Sequence, residues 1–266
     1  MTAQTRSNIT DLLERHGVRP SHRLGQHFLA DANITRRIVA EAAVVPGQKV
    51  VEIGAGTGTL TSALVASGAE VVAYEVDERL RPVLEETVGE AADIRFEDVT
   101  DIDLGATFGS GPWVMVANLP YNVGTPLVME VLRKAPGIIR LVVMVQREVA
   151  ERFVARPGES AYGLPSVVVA LHSAARLVMR VPPQVFVPAP RVDSAVVVMD
   201  RVAASTFSET AVELARAGFS QRRKMLRSSL ASVLDDPVPS LEAAGIDPTA
   251  RAENLSADDY LRLAAS

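Results

Sequence analysis

Residues 50–65 of this chain read VVEIGAGTGTLTSALV. The apolar residues from Val50 to Ile53 predict a short buried strand, and the apolar spacing from Leu60 onward predicts the start of a helix. Glycines at positions 54, 56 and 58 separate the two elements. Glycine lets the backbone pass close to a ligand with φ values that other residues resist. A strand, a glycine-rich turn and a helix in this order predict the first unit of a parallel α/β sheet with a ligand at the turn.

The spacing of these glycines narrows the class of ligand. A dinucleotide-binding fingerprint has its third glycine five residues after the first, where this chain has Thr59. A phosphate-binding P-loop ends in Gly-Lys-Ser/Thr, and that ending is absent from the turn. The turn therefore favours a nucleoside ligand without a pyrophosphate, and S-adenosyl-L-methionine is the leading candidate. A purely structural turn is the alternative.

Two carboxylates follow later strand-like runs. Glu75 comes directly after the run 71–74, at the position where an acidic residue binds ribose hydroxyls in nucleotide-binding βαβ units. Asp98 follows the run 94–96, and its carboxylate can accept a hydrogen bond from an adenine amine. Because open α/β sheets bind ligands at the carboxyl edge of their strands, we expect Gly54, Glu75 and Asp98 to share one site. For either carboxylate alone, a solvated charge or a helix cap is the alternative.

An Asn-Leu-Pro-Tyr stretch at 118–121 follows the apolar run 114–117, which predicts a further buried strand. The side-chain oxygen of Asn118 and the neighbouring Leu119 carbonyl can both accept hydrogen bonds from the amine of a planar base. Pro120 stiffens the loop, and Tyr121 offers a ring on which a base can stack. The stretch predicts a base-binding loop, with an ordinary strand-to-loop turn as the alternative.

Several stretches resemble the ribosomal RNA adenine N6-dimethyltransferases. They are GQHFL at 25–29, EIGAGTG at 52–58, NLPYN at 118–122, QREV at 146–149, VPPQVFVPAPRVDS at 181–194 and FSQRRKMLR at 219–227. They occur in the expected order and cover nearly the whole chain. The Pro-rich stretch and the Arg-Arg-Lys run resemble the branch of the family that acts on the small subunit. The branch that methylates 23S rRNA and confers macrolide resistance is the nearest competitor.

The resemblance implies an enzyme that uses S-adenosyl-L-methionine to dimethylate two adjacent adenines in the 3′-terminal hairpin loop of 16S rRNA. Its partner is then 16S rRNA in the small ribosomal subunit or its precursor, with a role in small-subunit biogenesis. A 23S rRNA adenine N6-methyltransferase and a ribosome-assembly binding factor with secondary catalysis are the alternatives. No metal ion is expected at the site.

The resemblance also implies three sets of site residues. The cofactor set is His27, Leu29, Glu52, Gly54, Gly56, Gly58, Glu75, Asp98 and Asn118. The set that holds and activates the target base is Asn118, Leu119, Pro120, Tyr121 and, from the Pro-rich loop, Phe186, for which a core position is the alternative. The RNA-binding set is Arg147, Arg222, Arg223, Lys224 and Arg227.

His27 is a departure from the family pattern, which usually has Asn at this position. A neutral imidazole can still donate or accept one hydrogen bond, so we expect His27 to bind the cofactor. Because the charge of a histidine near neutral pH depends on its surroundings, cofactor affinity could depend on pH. A surface histidine in an N-terminal arm is the alternative.

Charge is distributed unevenly along the chain, although its formal net value of -5 is acidic. Residues 48–110 hold 4 Lys and Arg against 13 Asp and Glu, whereas residues 176–227 hold 9 against 4. Local patches govern attraction to phosphate, so an overall acidic chain can still bind RNA. We expect Arg223 and Arg227, four residues apart, to share one helix face. A solvated helix face is the alternative.

The composition predicts a cytoplasmic enzyme. The chain of 266 residues has no cysteine, which excludes disulfides and thiolate chemistry, and its four histidines lack metal-binding spacing. No signal-peptide pattern and no apolar run approaching 18 residues is present, so we expect no membrane association. A monomer is the expected state.

The order of predicted elements gives the architecture. Strand-like runs near 49–53, 70–75, 93–97, 113–118 and 138–146 alternate with helical stretches, which predicts a Rossmann-like, doubly wound and mostly parallel α/β sheet. Runs at 175–181 and 194–201 lack a helix between them and should form an antiparallel pair at the end of the sheet. We expect a catalytic domain at 1–203, including the N-terminal arm, and a small all-helical RNA-binding domain at 204–266.

Overall fold

The computed structural model describes residues 4–121, 123–202 and 208–266. The strands are β1 (Phe28–Leu29), β2 (Lys49–Ile53), β3 (Glu70–Tyr74), β4 (Asp93–Arg95), β5 (Trp113–Asn118), β6 (Ile138–Gln146), β7 (Ser173–Val181), β8 (Phe186–Val187) and β9 (Ser194–Arg201). The helices are α1 (Arg6–Arg15), α2 (Ala32–Ala42), α3 (Thr59–Ala66), α4 (Arg81–Thr87), α5 (Leu104–Phe108), α6 (Gly124–Lys134), α7 (Arg147–Val154), α8 (Leu164–His172), α9 (Glu209–Ser220), α10 (Leu226–Ser229), α11 (Pro237–Ala243) and α12 (Ala257–Ala265). No helix among these residues is long and apolar enough to cross a membrane.

The main sheet has seven strands in the order β4-β3-β2-β5-β6-β9-β7. Strands β4, β3, β2, β5 and β6 run parallel to one another, and β9 runs antiparallel to β6. The predicted Rossmann-like sheet, mostly parallel with an antiparallel pair, is confirmed. Its central strands are apolar on both faces and almost fully buried, as expected for a parallel sheet covered by helices on both sides.

The register of the parallel strands brings their carboxyl ends level. Ile53 of β2 lies opposite both Tyr74 of β3 and Ala117 of β5. The residues that come next, Gly54 and Glu75, therefore lie at one edge of the sheet beside Asn118, the last residue of β5. A small second sheet pairs β1 with β8 in antiparallel fashion, with Leu29 opposite Phe186.

The chain forms two compact units, one of Met1–Ala150 with Arg176–Asp200 and one of Glu151–Ala175 with Arg201–Ser266. The predicted boundary between residues 203 and 204 lies outside the described residues. The prediction also assigned Glu151–Ala175 to the first domain, whereas these residues belong to the second unit. The reason is α8, whose fully buried Val167, Val168 and Val169 lie in a helix that packs against α9 and α12.

Two buried tyrosines help to hold the second unit together. The Tyr162 hydroxyl donates to the Leu255 carbonyl at 2.7 Å, and the Tyr260 hydroxyl donates to the Ala252 carbonyl at 3.2 Å. The Tyr162 ring also contacts Phe219 edge-on, with 5.9 Å between ring centroids. Buried tyrosines usually find such a partner, because an unpaired hydroxyl in the core is costly.

Gly58 has a structural role that generates a prediction. Its φ is +77°, and a Cβ at this position would lie 2.7 Å from both Thr87 Oγ1 and Val88 Cγ2. Gly47 has a similar φ of +79°, but a Cβ there would have nothing within 4 Å, so it is a matched control. We expect Gly58→Ala to lower the free energy of unfolding by about 2–4 kcal/mol, and Gly47→Ala by about 1 kcal/mol. Urea denaturation checks this, and equal losses in the two variants would contradict the packing role of Gly58.

Candidate functional site

A cavity of about 270 Å³ lies at the carboxyl ends of β2, β3 and β5. Most of the predicted site residues line it: His27, Leu29, Glu52, Gly54, Gly56, Glu75, Asp98, Asn118, Leu119, Pro120 and Tyr121. These residues come from separate segments of the chain, and the strand register described above brings them together. The position is the one at which open α/β sheets bind their ligands.

Glu75 braces the glycine turn. Its side chain is 5% exposed, and its two oxygens accept hydrogen bonds from the backbone amides of Gly56 at 2.8 Å and Asp77 at 2.9 Å. Burial raises the pKa of Glu75, and the two amide bonds work against that shift. A carboxylate has about four acceptor sites, so two remain for ribose hydroxyls. Glu75 therefore shapes the turn and still has acceptor capacity for a ligand.

Glu52 is a buried carboxylate with an unused oxygen. The residue is 1% exposed, and its Oε2 atom has no hydrogen-bond partner among the described residues. Burial raises the pKa of Glu52 from its ordinary 4.5 to about 8. An unpaired buried acceptor is rare in native proteins and calls for a missing donor. A ligand with a cationic, hydrogen-bonding end would supply that donor, and this fits the predicted S-adenosyl-L-methionine.

Asn118 is held in one orientation by the N-terminal arm. Its Nδ2 atom donates to the backbone carbonyl of His27 at 3.0 Å. Because a carbonyl can only accept, the amide nitrogen points to His27 and the amide oxygen points away from it. The next residue, Leu119, is 1% exposed, and its amide donates to the Met144 carbonyl at 3.0 Å. The backbone at this corner is therefore tied to β6 while the Asn118 oxygen stays available to a ligand.

Tyr121 is contacted on its ring and at its hydroxyl. Its ring stacks on the His27 imidazole with 5.5 Å between centroids and 27° between planes. The hydroxyl lies 2.9 Å from Ser194 Oγ, and burial raises the pKa of Tyr121. His27 is itself fixed, because its Nδ1 atom lies 2.7 Å from the Pro188 carbonyl. His27 lines the cavity, so its predicted contact with the cofactor stays a prediction, and the structure adds the contact with Tyr121.

Two predicted site residues lie away from the cavity. Phe186 was expected to stack on the target base, but its side chain is 1% exposed and belongs to the core, because β8 pairs with β1 and turns the ring inward. Gly58 was expected to contact the cofactor, but it is absent from the cavity wall and packs against the end of α4. Asp98 does line the cavity, and its Oδ1 atom accepts bonds from the amide and hydroxyl of Thr100.

Some contacts at the site carried no recognisable sequence signal. The Gln4 side-chain amide donates to the Thr57 carbonyl at 2.7 Å, and its oxygen accepts from the hydroxyls of Thr57 and Thr59 at 2.8 Å. Gln26 donates to Asp77 at 2.8 Å, and this contact ties the GQHFL segment to the loop after β3. Asn122, the last residue of the NLPYN stretch, lies outside the described residues.

Comparison with known proteins places the chain in a family. A family model described as ribosomal RNA adenine dimethylase matches residues 18–266. The ribosomal RNA small subunit methyltransferase A of Phenylobacterium zucineum is 44% identical over 269 residues, covering 99% of this chain and 94% of the relative. The protein of the same name from Kineococcus radiotolerans is 42% identical, covering 97% of this chain and 89% of the relative. The chain belongs to the ribosomal RNA adenine dimethylase family.

Solved structures of other methyltransferases share the fold of this dimethylase. A dimethyladenosine transferase from Plasmodium falciparum is 25% identical, with a TM-score of 0.77 and coverage of 89% of this chain and 96% of that one. The 23S rRNA methyltransferase ErmE is 25% identical, with a TM-score of 0.68 and coverage of 90% and 98%. The predictions of an rRNA adenine dimethyltransferase and of S-adenosyl-L-methionine as its cofactor are confirmed.

The basic residues of the dimethylase are arranged differently from the prediction. Arg223 and Arg227 do not share a helix face, because α9 ends at Ser220 and α10 begins only at Leu226. The intervening residues form turns, in which Arg223 and Lys224 are exposed. Arg222 is engaged within its own unit, where it pairs with Glu253 at 2.7 Å and bonds the Ser160 carbonyl. In the first unit, Arg147 at the start of α7 lies 3.5 Å from Asp193.

The raised pKa of Glu52 predicts how stability of the dimethylase depends on pH. A carboxyl whose folded pKa exceeds its unfolded value stabilises the fold when protonated, and this contribution is lost as pH rises from about 4.5 to about 8. The glutamine in Glu52→Gln cannot ionise. From pH 5 to pH 8 the free energy of unfolding of this variant should therefore rise by a few kcal/mol relative to that of the wild type, and its relative melting temperature should rise with it. Thermal melts without cofactor at the two pH values measure this. The same difference at both pH values would contradict the buried ionisation.

Proposed function

We propose that this dimethylase transfers two methyl groups to the N6 amine of each of two adjacent adenines in the 3′-terminal hairpin loop of 16S rRNA. The observation that carries the proposal is the orientation of Asn118, whose Oδ1 points away from His27 at the cavity, beside Leu119 and the Tyr121 ring. The choice of 16S rRNA rests on relatives 42–44% identical over nearly the full chain that are named for the small subunit. We further propose a role in small-subunit biogenesis.

The chemistry follows from hydrogen-bond acceptors at the base. An adenine amine is a weak nucleophile because its lone pair is delocalised into the ring. The Asn118 oxygen and the Leu119 carbonyl each accept a hydrogen bond from one N–H group of the amine. Electron density then shifts to the nitrogen, and the lone pair is aimed across the cavity. S-adenosyl-L-methionine, when bound, would supply an electrophilic methyl group on a sulfonium, so that the N–C bond forms as the C–S bond breaks and neutral S-adenosylhomocysteine leaves. Alignment of the reacting atoms alone supplies several kcal/mol, so no strong base is needed to start the attack.

The target adenine must leave its stack to reach this cavity, because enzymes that modify a base act on a flipped or single-stranded nucleotide. Tyr121 provides a stacking surface worth about 1–3 kcal/mol. Glu52, Gly54, Gly56, Glu75 and Asp98 would hold the cofactor from the neighbouring strands of the same edge. After the first transfer the methylated nitrogen is cationic and loses one proton to solvent, which restores its lone pair. The amine must then rotate, so that its remaining hydrogen and its lone pair can be used again.

The basic residues would carry the contacts with the RNA backbone. Arg223, Lys224 and Arg227 are exposed in the second unit, and Arg147 is half exposed in the first. We propose that the unit that holds the sheet binds the cofactor and that the second, helical unit binds rRNA in the small subunit or its precursor. The enzyme would act as a monomer in the cytoplasm.

A 23S rRNA target is the second candidate, favoured by the shared fold of the methyltransferase ErmE. The two candidates separate in one experiment, in which the protein is incubated with labelled cofactor and with under-methylated 30S or 50S particles. We expect label in the 30S particle, at N6,N6-dimethyladenosine near the 3′ end of 16S rRNA. Label confined to 50S particles would overturn the proposal. Binding to immature 30S particles without transfer would favour the assembly factor instead.

Asn118→Ala tests the catalytic role of the amide. Removing the acceptor should lower the rate of methyl transfer about a hundredfold or more. It should weaken cofactor binding far less, because Asn118 is one of several residues expected to contact the cofactor. Single-turnover transfer to 30S particles and calorimetric titration with the cofactor measure the two quantities. Full dimethylation by Asn118→Ala would refute the role.

The exposed basic residues predict the salt dependence of RNA binding. Each lost phosphate contact should reduce the slope of log affinity against log salt by about 1, so the double variant Arg223→Ala with Lys224→Ala should lose about 2. Arg216→Ala removes one exposed cation from α9 in the same unit and is the control for net charge. Binding of under-methylated 30S particles at several salt concentrations gives the slopes. A double variant no different from Arg216→Ala would contradict the assignment.

A further inference from the structure

We infer that Ser194 and His27 are positioning residues for Tyr121, the ring on which the target adenine stacks. Together they form a clamp that holds this ring before the adenine arrives. This inference rests on the proposed use of Tyr121 as a stacking surface and extends it to two residues outside the base-binding loop. Ser194 had no assigned role, and His27 was expected only to contact the cofactor.

The first half of the clamp is the contact between Ser194 and Tyr121. Their hydroxyls lie 2.9 Å apart, and Ser194 is 1% exposed, so no solvent competes for its hydroxyl. A hydrogen bond in such surroundings is costly to leave unmade, and this fixes the distal end of the tyrosine side chain.

Sheet topology explains why Ser194 reaches the site. Ser194 is the first residue of β9, which runs antiparallel to β6, and it lies opposite Gln146, the last residue of β6. An antiparallel strand begins where its parallel neighbours end. The start of β9 is therefore at the ligand edge of the sheet. The preceding residue, Asp193, accepts a hydrogen bond from the Arg147 amide at 2.9 Å, which anchors this corner.

The second half of the clamp is the stack of His27 on Tyr121. The offset geometry, with centroids 5.5 Å apart and planes at 27°, is a favourable arrangement for two aromatic rings. The Pro188 carbonyl can only accept, so Nδ1 of His27 carries the proton and the imidazole cannot rotate freely. One face of Tyr121 is thus covered by His27, and an incoming base stacks on the opposite face.

The consequence is a platform whose orientation is set before RNA binds. A free tyrosine would lose rotational freedom on binding the base, whereas a held ring has already lost it, so more of the stacking energy is available for alignment. The clamp therefore predicts that loss of Ser194 lowers kcat/KM for rRNA without changing the affinity for S-adenosyl-L-methionine. Loss of His27 should lower kcat/KM for rRNA whether or not it also weakens cofactor binding.

A double-mutant cycle tests the Ser194 half. Ser194→Ala and Tyr121→Phe each remove one partner of the same hydrogen bond and should each lower kcat/KM for rRNA about three- to tenfold. The kcat/KM of the double variant should be no lower than that of the more impaired single variant, because both substitutions remove the same contact. Fold losses that multiply would overturn the inference. If Ser194→Ala does not fold, Tyr121→Phe alone tests the inference. An unchanged kcat/KM in that variant would show that the Tyr121 hydroxyl does not help to position the ring, and it would overturn the inference.

A matched pair of variants tests the His27 half. His27→Ala removes the stacked ring and should lower kcat/KM for rRNA about two- to tenfold, whereas His27→Phe keeps a ring and should retain most of it. The dissociation constant for S-adenosyl-L-methionine is measured in parallel. Weaker cofactor binding by His27→Ala with unchanged kcat/KM for rRNA would overturn the inference and assign His27 to the cofactor alone.

The design also separates this inference from the proposed function. The cycle is measured on whichever ribosomal particle the wild-type enzyme methylates. Wild-type transfer to 50S particles alone would overturn the choice of 16S rRNA, yet the comparison of single and double variants would still report on the clamp.

Discussion

The alignment of three parallel strands is the constraint on which this site depends. Ile53, Tyr74 and Ala117 lie opposite one another, and the hydrogen bonds of the sheet hold them there. Each residue that follows or ends these strands is therefore delivered to one edge. A slip of one residue in β5 would turn its buried side chains to the other face and carry Asn118 away from the glycine turn. Side chains on both faces of β5 are closely packed, so such a slip would create cavities and overlaps on both faces and is disfavoured.

The same edge concentrates buried acidic side chains, whose ionisation has an energetic cost. Glu75 is compensated by two backbone amides, one of them from the glycine turn that it braces. Glu52 has no hydrogen-bond partner at Oε2 among the described residues, and burial raises its pKa to about 8. The Glu52 Oε2 atom is therefore an acceptor that a cationic ligand would satisfy. A buried polar group without a partner lowers the stability of the fold, and a ligand that pairs with it would recover that stability. Such a cost is common at functional sites.

The base side of the cavity is assembled from segments far apart in the chain. The antiparallel strand β9 brings Ser194 to Tyr121, and the small sheet of β1 and β8 fixes His27 beside the same ring. His27 also orients Asn118 through its backbone carbonyl. One residue of the N-terminal arm, His27, thus contacts both elements of the proposed base-binding loop, the Asn118 amide and the Tyr121 ring.

The sequence by itself determined the alternation of strands and helices, the glycine turn, and the placement of Glu75, Asp98 and Asn118 at strand ends. These features follow from hydrophobic periodicity and from the backbone freedom of glycine, both of which act locally. Only the tertiary structure decided that Phe186 is buried, that Gly58 packs against α4, that the basic run forms turns, and that Ser194 reaches Tyr121. Such outcomes depend on which distant segments pair, because burial and side-chain contacts are set by neighbours in space.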